Sequence, residues 1–285
     1  MGNKKKLINK GLIDLFPKDI NRFYDIFGGS GIVSMNTKAN SYVLNDINKH
    51  LVSLYMMFTH YSADEIISAI ESNIEKYGLA RERTKRNEFH DKAKIEQYKS
   101  SYNSLRDKYN STFNIFDFYT LMFYSFSQQF RFNNNGLFNM PCGNDCFSDK
   151  NKEYIQNGCN FFLNNKVCIL NNDFIEMSDQ LVGTLNEDDF VYLDPPYINT
   201  TATYTENNSW TQHHQEQLYK LCEELNNRNI KFALSNVFGN KGIENTKLQE
   251  WCDKHKWNVY TFDKFTYMAC GKGNSNAKEV LITNY

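Results

Sequence analysis

Residues 190–199 read FVYLDPPYIN, an apolar run that ends in Asp194, Pro195, Pro196 and Tyr197. The chain holds four prolines, so two side by side single this stretch out. Each proline fixes φ and removes a backbone N–H donor. Acceptors at the end of the run are thereby held rigid, with no competing donor among them. Such a site suits an exocyclic amine on a flat ring: Asp194 accepts one N–H, the Pro195 carbonyl the other, and the ring stacks on Tyr197. An amine conjugated to an aromatic ring is a poor nucleophile. Two acceptors that draw its hydrogens out of the ring plane push the nitrogen towards sp³ and free its lone pair. The plainer alternative is a turn closing a strand, with a chance aspartate. The scarcity of proline argues against it.

A second cluster is YDIFGGSGIV (24–33). Gly28, Gly29, Ser30 and Gly31 follow an apolar run, and glycines there let the backbone approach a ligand and take φ > 0. The spacing is not G-x-G-x-x-G, because Ser34 and Met35 follow, and a nicotinamide oxidoreductase fails on that ground. Asp46 ends the next apolar run, SYVLND (41–46). A carboxylate at that position can accept both hydroxyls of a ribose, or it can cap the helix that begins after it. Glycine loop and acidic residue in this order favour an adenosine-containing cofactor.

These residues need strands to carry them. RFYDIF (22–27), SYVLND (41–46), KVCILNND (166–173), DFVYLD (189–194), KFALSNV (231–237), NVYTFD (258–263) and KEVLITNY (278–285) read as strands. INKHLVSLYMMFTHY (47–61) reads as a helix with Leu51, Leu54, Tyr55 and Phe58 on one face. TQHHQEQLYKLCEELNNRN (211–229), started by Thr211 or Ser209, and NTKLQEWCDKH (245–255) read as further helices. Strands separated by helices imply a doubly wound, mostly parallel sheet. Between the second and third strands the pattern becomes helical and charged, with Ser62 and Glu65 forming a capping box. The helical stretches continue through KRNEFHDKAKIEQYKSSYNSLRDKY (85–109) and the aromatic FNIFDFYTLMFYSFSQQF (113–130), which leads into a loop rich in Asn and Gly. The expected organisation is a catalytic domain of residues 1–60 and 160–285 with an insertion at 61–159.

Of the 285 residues, 41% are apolar and 15% aromatic, enough for a sizeable core. No apolar run approaches the roughly 20 residues of a membrane helix, and the basic start MGNKKK has no signal-type hydrophobic segment after it. Seven cysteines in a chain of this size suggest a reducing cytoplasm. Cys142 and Cys146 lack a matching pair at zinc spacing and read as ordinary thiols, so no metal is expected. The formal net charge of −1 means that any nucleic-acid face is a local patch. Arg81, Arg83, Lys85, Arg86, Lys92, Lys94, Lys99, Arg106 and Lys108 outnumber the acids among them. They suit phosphate tracking or a solvated helical face equally. His213 and His214 read as surface residues.

Together these stretches resemble the Dam-type, alpha-class DNA adenine-N6 methyltransferases that use S-adenosylmethionine. GNKKKLI (2–8) is similar to the family's G-N/G-K segment and IFGGSG (26–31) to its F-x-G-x-G loop. LND (44–46), NNDF (171–174), DPPY (194–197) and LSN (234–236) follow in family order. RFNNNGLFNMPCG (131–143) resembles R-[YF]-N-x-x-G-x-F-N-x-P-[FY]-G, with Cys142 where an aromatic residue is usual. The resemblance implies a Rossmann-like, seven-stranded methyltransferase sheet and a mainly helical target-recognition insertion. It further implies a substrate adenine in double-stranded DNA, with GATC as the first sequence to try. FSQQF (126–130), ahead of Arg131, departs from the family pattern there.

Carried over by position, Lys4, Phe27, Gly28, Gly29, Ser30, Gly31, Asp46, Asp173, Phe174 and Asp194 would line the cofactor site, with Asp173 near the adenine. Asp194, Pro195, Pro196 and Tyr197 would hold the flipped base. Arg131 would reach a guanine edge, and Asn133, Asn139 and Pro141 would shape the loop around it. Phe126 would fill the gap left in the duplex, or else be a core aromatic of its helix. The family has an aromatic residue before G-[NG]-K where this chain has Met1, a difference expected to weaken cofactor binding without altering the fold. The competing readings are the same chemistry on RNA adenine, cytosine N4 or a protein amide, and a DNA- or cofactor-binding relative without catalysis. A cognate restriction endonuclease is a partner the resemblance admits.

Overall fold

The computed structural model describes residues 4–83, 92–197, 210–240, 243–266 and 276–285. Lys85, Arg86 and Ser209, as well as Gly2 and Asn3 of GNKKKLI, lie outside them. By contacts the chain divides into two compact units, Ser53–Asn164 with Met1, and Gly2–Val52 with Asn165–Tyr285.

The second unit is built on a sheet. β1 (Arg22–Asp25), β2 (Ser41–Asn45), β3 (Val167–Leu170), β4 (Phe190–Leu193) and β5 (Lys231–Asn240) are all parallel neighbours. β7 (Asn258–Thr266) and β8 (Asn276–Thr283) close it in antiparallel pairing. Only residues 267–275 separate them, fewer than the dozen or so that a parallel crossover takes. The strand order is β3-β2-β1-β4-β5-β8-β7, the expected seven-stranded, mostly parallel arrangement. An eighth strand, β6 (Ile243–Glu244), pairs with β5 off this path. Two residues are too few for any periodic signal. Lys278 belongs to β8 and pairs with Glu244 at 3.4 Å.

β4 is buried along its whole length, as a central strand covered on both faces must be. Val191 and Leu193 pack with Phe232 and Leu234 against α8 (Phe174–Thr184), α9 (Gln212–Asn227) and α10 (Thr246–His255). Phe190 and Tyr192 point the other way, where their rings meet Phe16 and Phe23 at centroid distances of 4.9–6.4 Å. Of the two proposed caps Thr211 is the one used, accepting from the His214 N–H.

The first unit is helical. Of α3 (Lys49–His60), the face Leu51, Leu54, Tyr55 and Phe58 is buried as the spacing required. α4 (Ala63–Tyr77) starts in the Ser62–Glu65 capping box and ends at Gly78 in the left-handed region. α5 (Lys92–Thr112) and α6 (Ile115–Tyr124) follow, and then α7 (Asp149–Asn164), which the sequence reading did not identify. Its polar composition hid the signal, but Ile155, Cys159 and Phe162 lie buried at helical spacing.

Gly143 marks the tightest backbone approach in this unit. Its N–H donates to the Tyr124 carbonyl at 2.7 Å, and an added Cβ would lie 2.6 Å from the Ser125 oxygen. Backbone cannot swing aside as a side chain can. Gly143→Ala is therefore expected to lower the free energy of unfolding by about 1–3 kcal/mol, read as a fall in the urea midpoint.

Candidate active site

After β1 the chain runs outward to β2 and β3, whereas after β4 it runs the other way to β5. The carboxyl ends of β1 and β4 are neighbours whose connections diverge, and such a switch point opens a crevice. The glycine loop follows β1, and Asp-Pro-Pro-Tyr follows β4. Asp46 follows β2 and Asp173 follows β3. The four motifs thus share one edge of one sheet.

The glycine loop is shaped from within and from beside. Gly29 and Gly31 take φ of +55° and +69°, which side chains resist. The Gly28 N–H donates to the Asn45 carbonyl at 2.7 Å, and the Gly29 N–H donates to Asp46 Oδ2 at 2.9 Å. Asp46 Oδ1 accepts from the Asn48 N–H at 2.8 Å. Its carboxylate therefore fixes the loop and the turn ahead of α3. The helix start itself is capped by Asn48, whose Oδ1 accepts from the His50 N–H at 3.0 Å; the capping expected of Asp46 falls to Asn48. Burial pushes the Asp46 carboxyl above its usual range, against its two backbone bonds. Asn45 was not singled out from the sequence, yet its side chain bonds Ile26 O, Asn172 O and Asn172 N–H at 3.0 Å each. It ties together the ends of β1, β2 and β3.

Asp173 caps α8 through a bond from the Ile175 N–H at 2.8 Å. Phe174 is buried and its ring centroid lies 5.2 Å from that of Phe27 and 5.3 Å from that of Trp210. His214 packs on Trp210 at 5.3 Å and is half-buried. Only His213 of the two histidines is a surface residue, which corrects the expectation for His214. Trp210 precedes the N-cap Thr211, a position where an apolar side chain staples a helix start. That position was its one sequence signal.

At the end of β4, Pro195 is buried and Asp194, Pro196 and Tyr197 are half-buried. The Lys4 ammonium lies 3.0 Å from Asp194 Oδ1 and 3.4 Å from Glu279 Oε2, and it also donates to the Tyr197 hydroxyl. That hydroxyl lies 3.2 Å from Asp194 Oδ1 and 3.4 Å from Glu279 Oε2. Burial pulls the Lys4 ammonium down, but Asp194, Tyr197, Glu279 and Tyr192 together hold it well above the usual lysine range. Burial pushes Glu279 up, beyond what Lys4 takes back. Glu279 was missed because it stands in a continuous strand run, KEVLIT, whose pattern gives it no face.

Asp25 was also missed, although a carboxylate just before a glycine loop was a usable signal. It is 1% exposed; Oδ2 accepts from the Ser34 hydroxyl at 2.7 Å, and Oδ1 has no hydrogen-bond partner among the described residues. Burial, with Asp194 and Asp46 nearby, raises its pKa to about 7.

The recognition-loop residues all lie in the other unit. Arg131 donates through Nε to Asn139 Oδ1 at 2.8 Å and through Nη2 to the Asn139 carbonyl at 3.2 Å. Asn133 Oδ1 accepts from the Asn135 and Leu137 N–H groups at 3.0 Å each, closing the turn beyond Arg131. The Pro141 carbonyl accepts from the Phe126 N–H at 2.9 Å. Phe126 is 44% exposed, in a short 3-10 turn after α6 rather than in the core, and Ser127 and Gln128 after it have positive φ. Several of the basic side chains are already paired: Arg81 with Glu71, Arg83 with Asp145, Lys99 with Glu96 and Arg106 with Asp107. Among the described residues no group of three or more His, Cys, Asp or Glu is set to hold a metal ion, and no helix is long and apolar enough to cross a membrane.

The family model described as D12 class N6 adenine-specific DNA methyltransferase matches residues 1–266. The whole chain aligns with the type II methyltransferase M.FokI of Planomicrobium okeanokoites at 34% identity and with modification methylase StsI of Streptococcus sanguinis at 32%. It spans 42% of the length of each. Over 82% of the chain it is 27% identical to the DNA adenine methylase of Escherichia coli K12, covering 76% of that protein.

Proposed function

The chain belongs to the D12 class of N6 adenine-specific DNA methyltransferases, and on that premise we propose that it moves a methyl group from S-adenosylmethionine to N6 of an adenine turned out of double-stranded DNA. The observation that carries the reading is the meeting, at the switch point, of the Asp194–Tyr197 acceptor group with the glycine loop of β1.

When bound, S-adenosylmethionine supplies an electrophilic methyl on a sulfonium that leaves as a neutral thioether. The residues present fit it. The unpartnered Oδ1 of Asp25 offers an acceptor to its cationic end. Asp46 keeps lone pairs beyond its two backbone bonds for ribose hydroxyls. Asp173, with the Phe27 and Phe174 rings, flanks the place of the adenine, and Gly28, Gly29, Ser30 and Gly31 let the backbone close on the ligand.

The protein's part in the transfer is positioning and polarisation. Asp194 and the Pro195 carbonyl accept the two N6 hydrogens, and Pro195 and Pro196 keep donors away from them. The Tyr197 ring stacks on the base while its hydroxyl is held at Asp194 and Glu279. As the N–C bond forms, the amine becomes acidic and Asp194 takes up its proton. Flipping the adenine costs a few kcal/mol, offset by stacking on Tyr197 and by Phe126 entering the gap. Residues 53–164 read the target, with Arg131 at a guanine edge. Several relatives are named type II or modification methyltransferases, so protection against a cognate restriction endonuclease is the setting to examine.

The test is transfer of labelled methyl to unmethylated duplex DNA, beginning with GATC-containing duplexes, beside RNA. Label in duplex DNA supports the reading. Label only in RNA, or cofactor binding without transfer, overturns it.

Asp25 supplies a prediction with two opposite signs. Unfolded, an aspartate releases its proton near pH 3.9; folded, Asp25 keeps it up to about pH 7. Between those values the folded chain binds more protons, so this group's contribution to stability declines as pH rises. Asp25→Asn is expected to be more stable than wild type at pH 8, with the advantage shrinking as pH falls towards 4. Its S-adenosylmethionine affinity, measured by calorimetry, is expected to drop about 10- to 100-fold, the loss of one charged acceptor. Unchanged affinity would remove Asp25 from the site.

A further inference from the structure

Glu279 lies in β8, past residue 266 where the family match ends. Its side chain is 2% exposed. A carboxylate is rarely buried that far without a partner, and the apolar neighbours Val280, Leu281 and Ile282 do β8's packing. What Glu279 touches is Lys4 and Tyr197, each at 3.4 Å. Both of those also contact Asp194, and both do so at the same oxygen, Oδ1. One ammonium and one hydroxyl are thus shared between two carboxylates, one from β8 and one from the end of β4.

We propose that Glu279 is a positioning residue for methyl transfer, taking a share of the Lys4 ammonium and the Tyr197 hydroxyl so that Asp194 is not neutralised by a private ion pair. The role rests on the reading of Asp194 as the acceptor of the target amine. With Glu279 in place the cluster of Lys4, Asp194 and Glu279 carries two negative charges against one positive. Without it, Lys4 and the Tyr197 hydroxyl turn wholly to Asp194 and draw its electron density from the amine. Tyr197 also loses one of the contacts that hold its hydroxyl. Among the described residues the ionisable groups facing Glu279 are Lys4, Asp194 and Tyr197, and burial raises its carboxyl despite the lysine.

Glu279→Gln keeps size and loses charge; Glu279→Asp keeps charge at shorter reach. In the full-length chain, kcat for Glu279→Gln is expected to fall about 10- to 100-fold, with KM for DNA and Kd for S-adenosylmethionine unchanged. Glu279→Asp is expected to recover part of the loss. Proton exchange at the Lys4 Nζ, followed by ¹⁵N NMR and assigned by its disappearance in Lys4→Arg, is expected to quicken in Glu279→Gln. An unaltered kcat overturns the proposal, as does a fall in kcat that tracks lost thermal stability while Lys4 exchange stays as in wild type. If wild type moves no methyl to DNA, the functional reading fails, and unaltered Lys4 exchange in Glu279→Gln would separately refute Glu279's hold on the ammonium.

Discussion

Asp194→Asn is expected to lower the single-turnover rate of methyl transfer about 10²- to 10⁴-fold while leaving S-adenosylmethionine affinity within the range of wild type. The amide has the shape of the carboxylate but one end is now a donor. A donor facing the amine repels the hydrogens that the carboxylate attracts, and no group remains beside the base to take the departing proton. Affinity is expected to be spared because the residues proposed to hold the cofactor's charged end, ribose and adenine, Asp25, Asp46 and Asp173, stand on other strand ends. Lys4 does not lose its holding either, since Glu279 still lies 3.4 Å from it. A rate within tenfold of wild type would mean that polarisation by Asp194 is not the source of catalysis.

Lys4→Met is expected to cost about 3–5 kcal/mol of folding stability at pH 8, the toll of leaving buried charge without its counter-charge. Lys4 is 11% exposed and sits against Asp194 and Glu279, so its removal leaves two carboxylates facing each other. The sign with pH follows from Glu279, already raised by burial and raised further once the ammonium is gone. A group with a raised folded pKa binds its proton more tightly folded than unfolded, so the variant recovers stability as pH falls towards the unfolded glutamate value of about 4.3. Urea midpoints at pH 5.5 and pH 8 measure this. A penalty that is the same at both would show that the loss is packing rather than charge.

The parallel strands were legible because fully covered strands are continuous apolar runs with acidic or glycine-rich ends, and those ends make up the proposed site. FVYL before Asp194 and SYVLN before Asp46 announce themselves that way. The Asp46 carboxylate shows where a sequence stops: helix capping was the local role to expect, but Asn48 caps the helix and Asp46 holds the glycine loop, a contact across 17 positions. What was not legible depends on distant pairing. Glu279 and Lys4 are 275 positions apart, and nothing in KEVLIT marks its glutamate as buried. Asn45 likewise reads as an ordinary strand end, although its amide joins three strand ends. β6 is too short to have a period, and Trp210 gains meaning only from the rings of Phe27 and Phe174.

The central claim concerns one atom of one base, so the most direct measurement identifies that atom. Unmethylated duplex DNA treated with the protein and methyl-labelled S-adenosylmethionine is digested to nucleosides and resolved by mass spectrometry. The account predicts label in N6-methyldeoxyadenosine, and none there when Asp194→Asn replaces wild type at matched time. Label in N4-methyldeoxycytidine, or N6-methyldeoxyadenosine formed equally by both proteins, would contradict it.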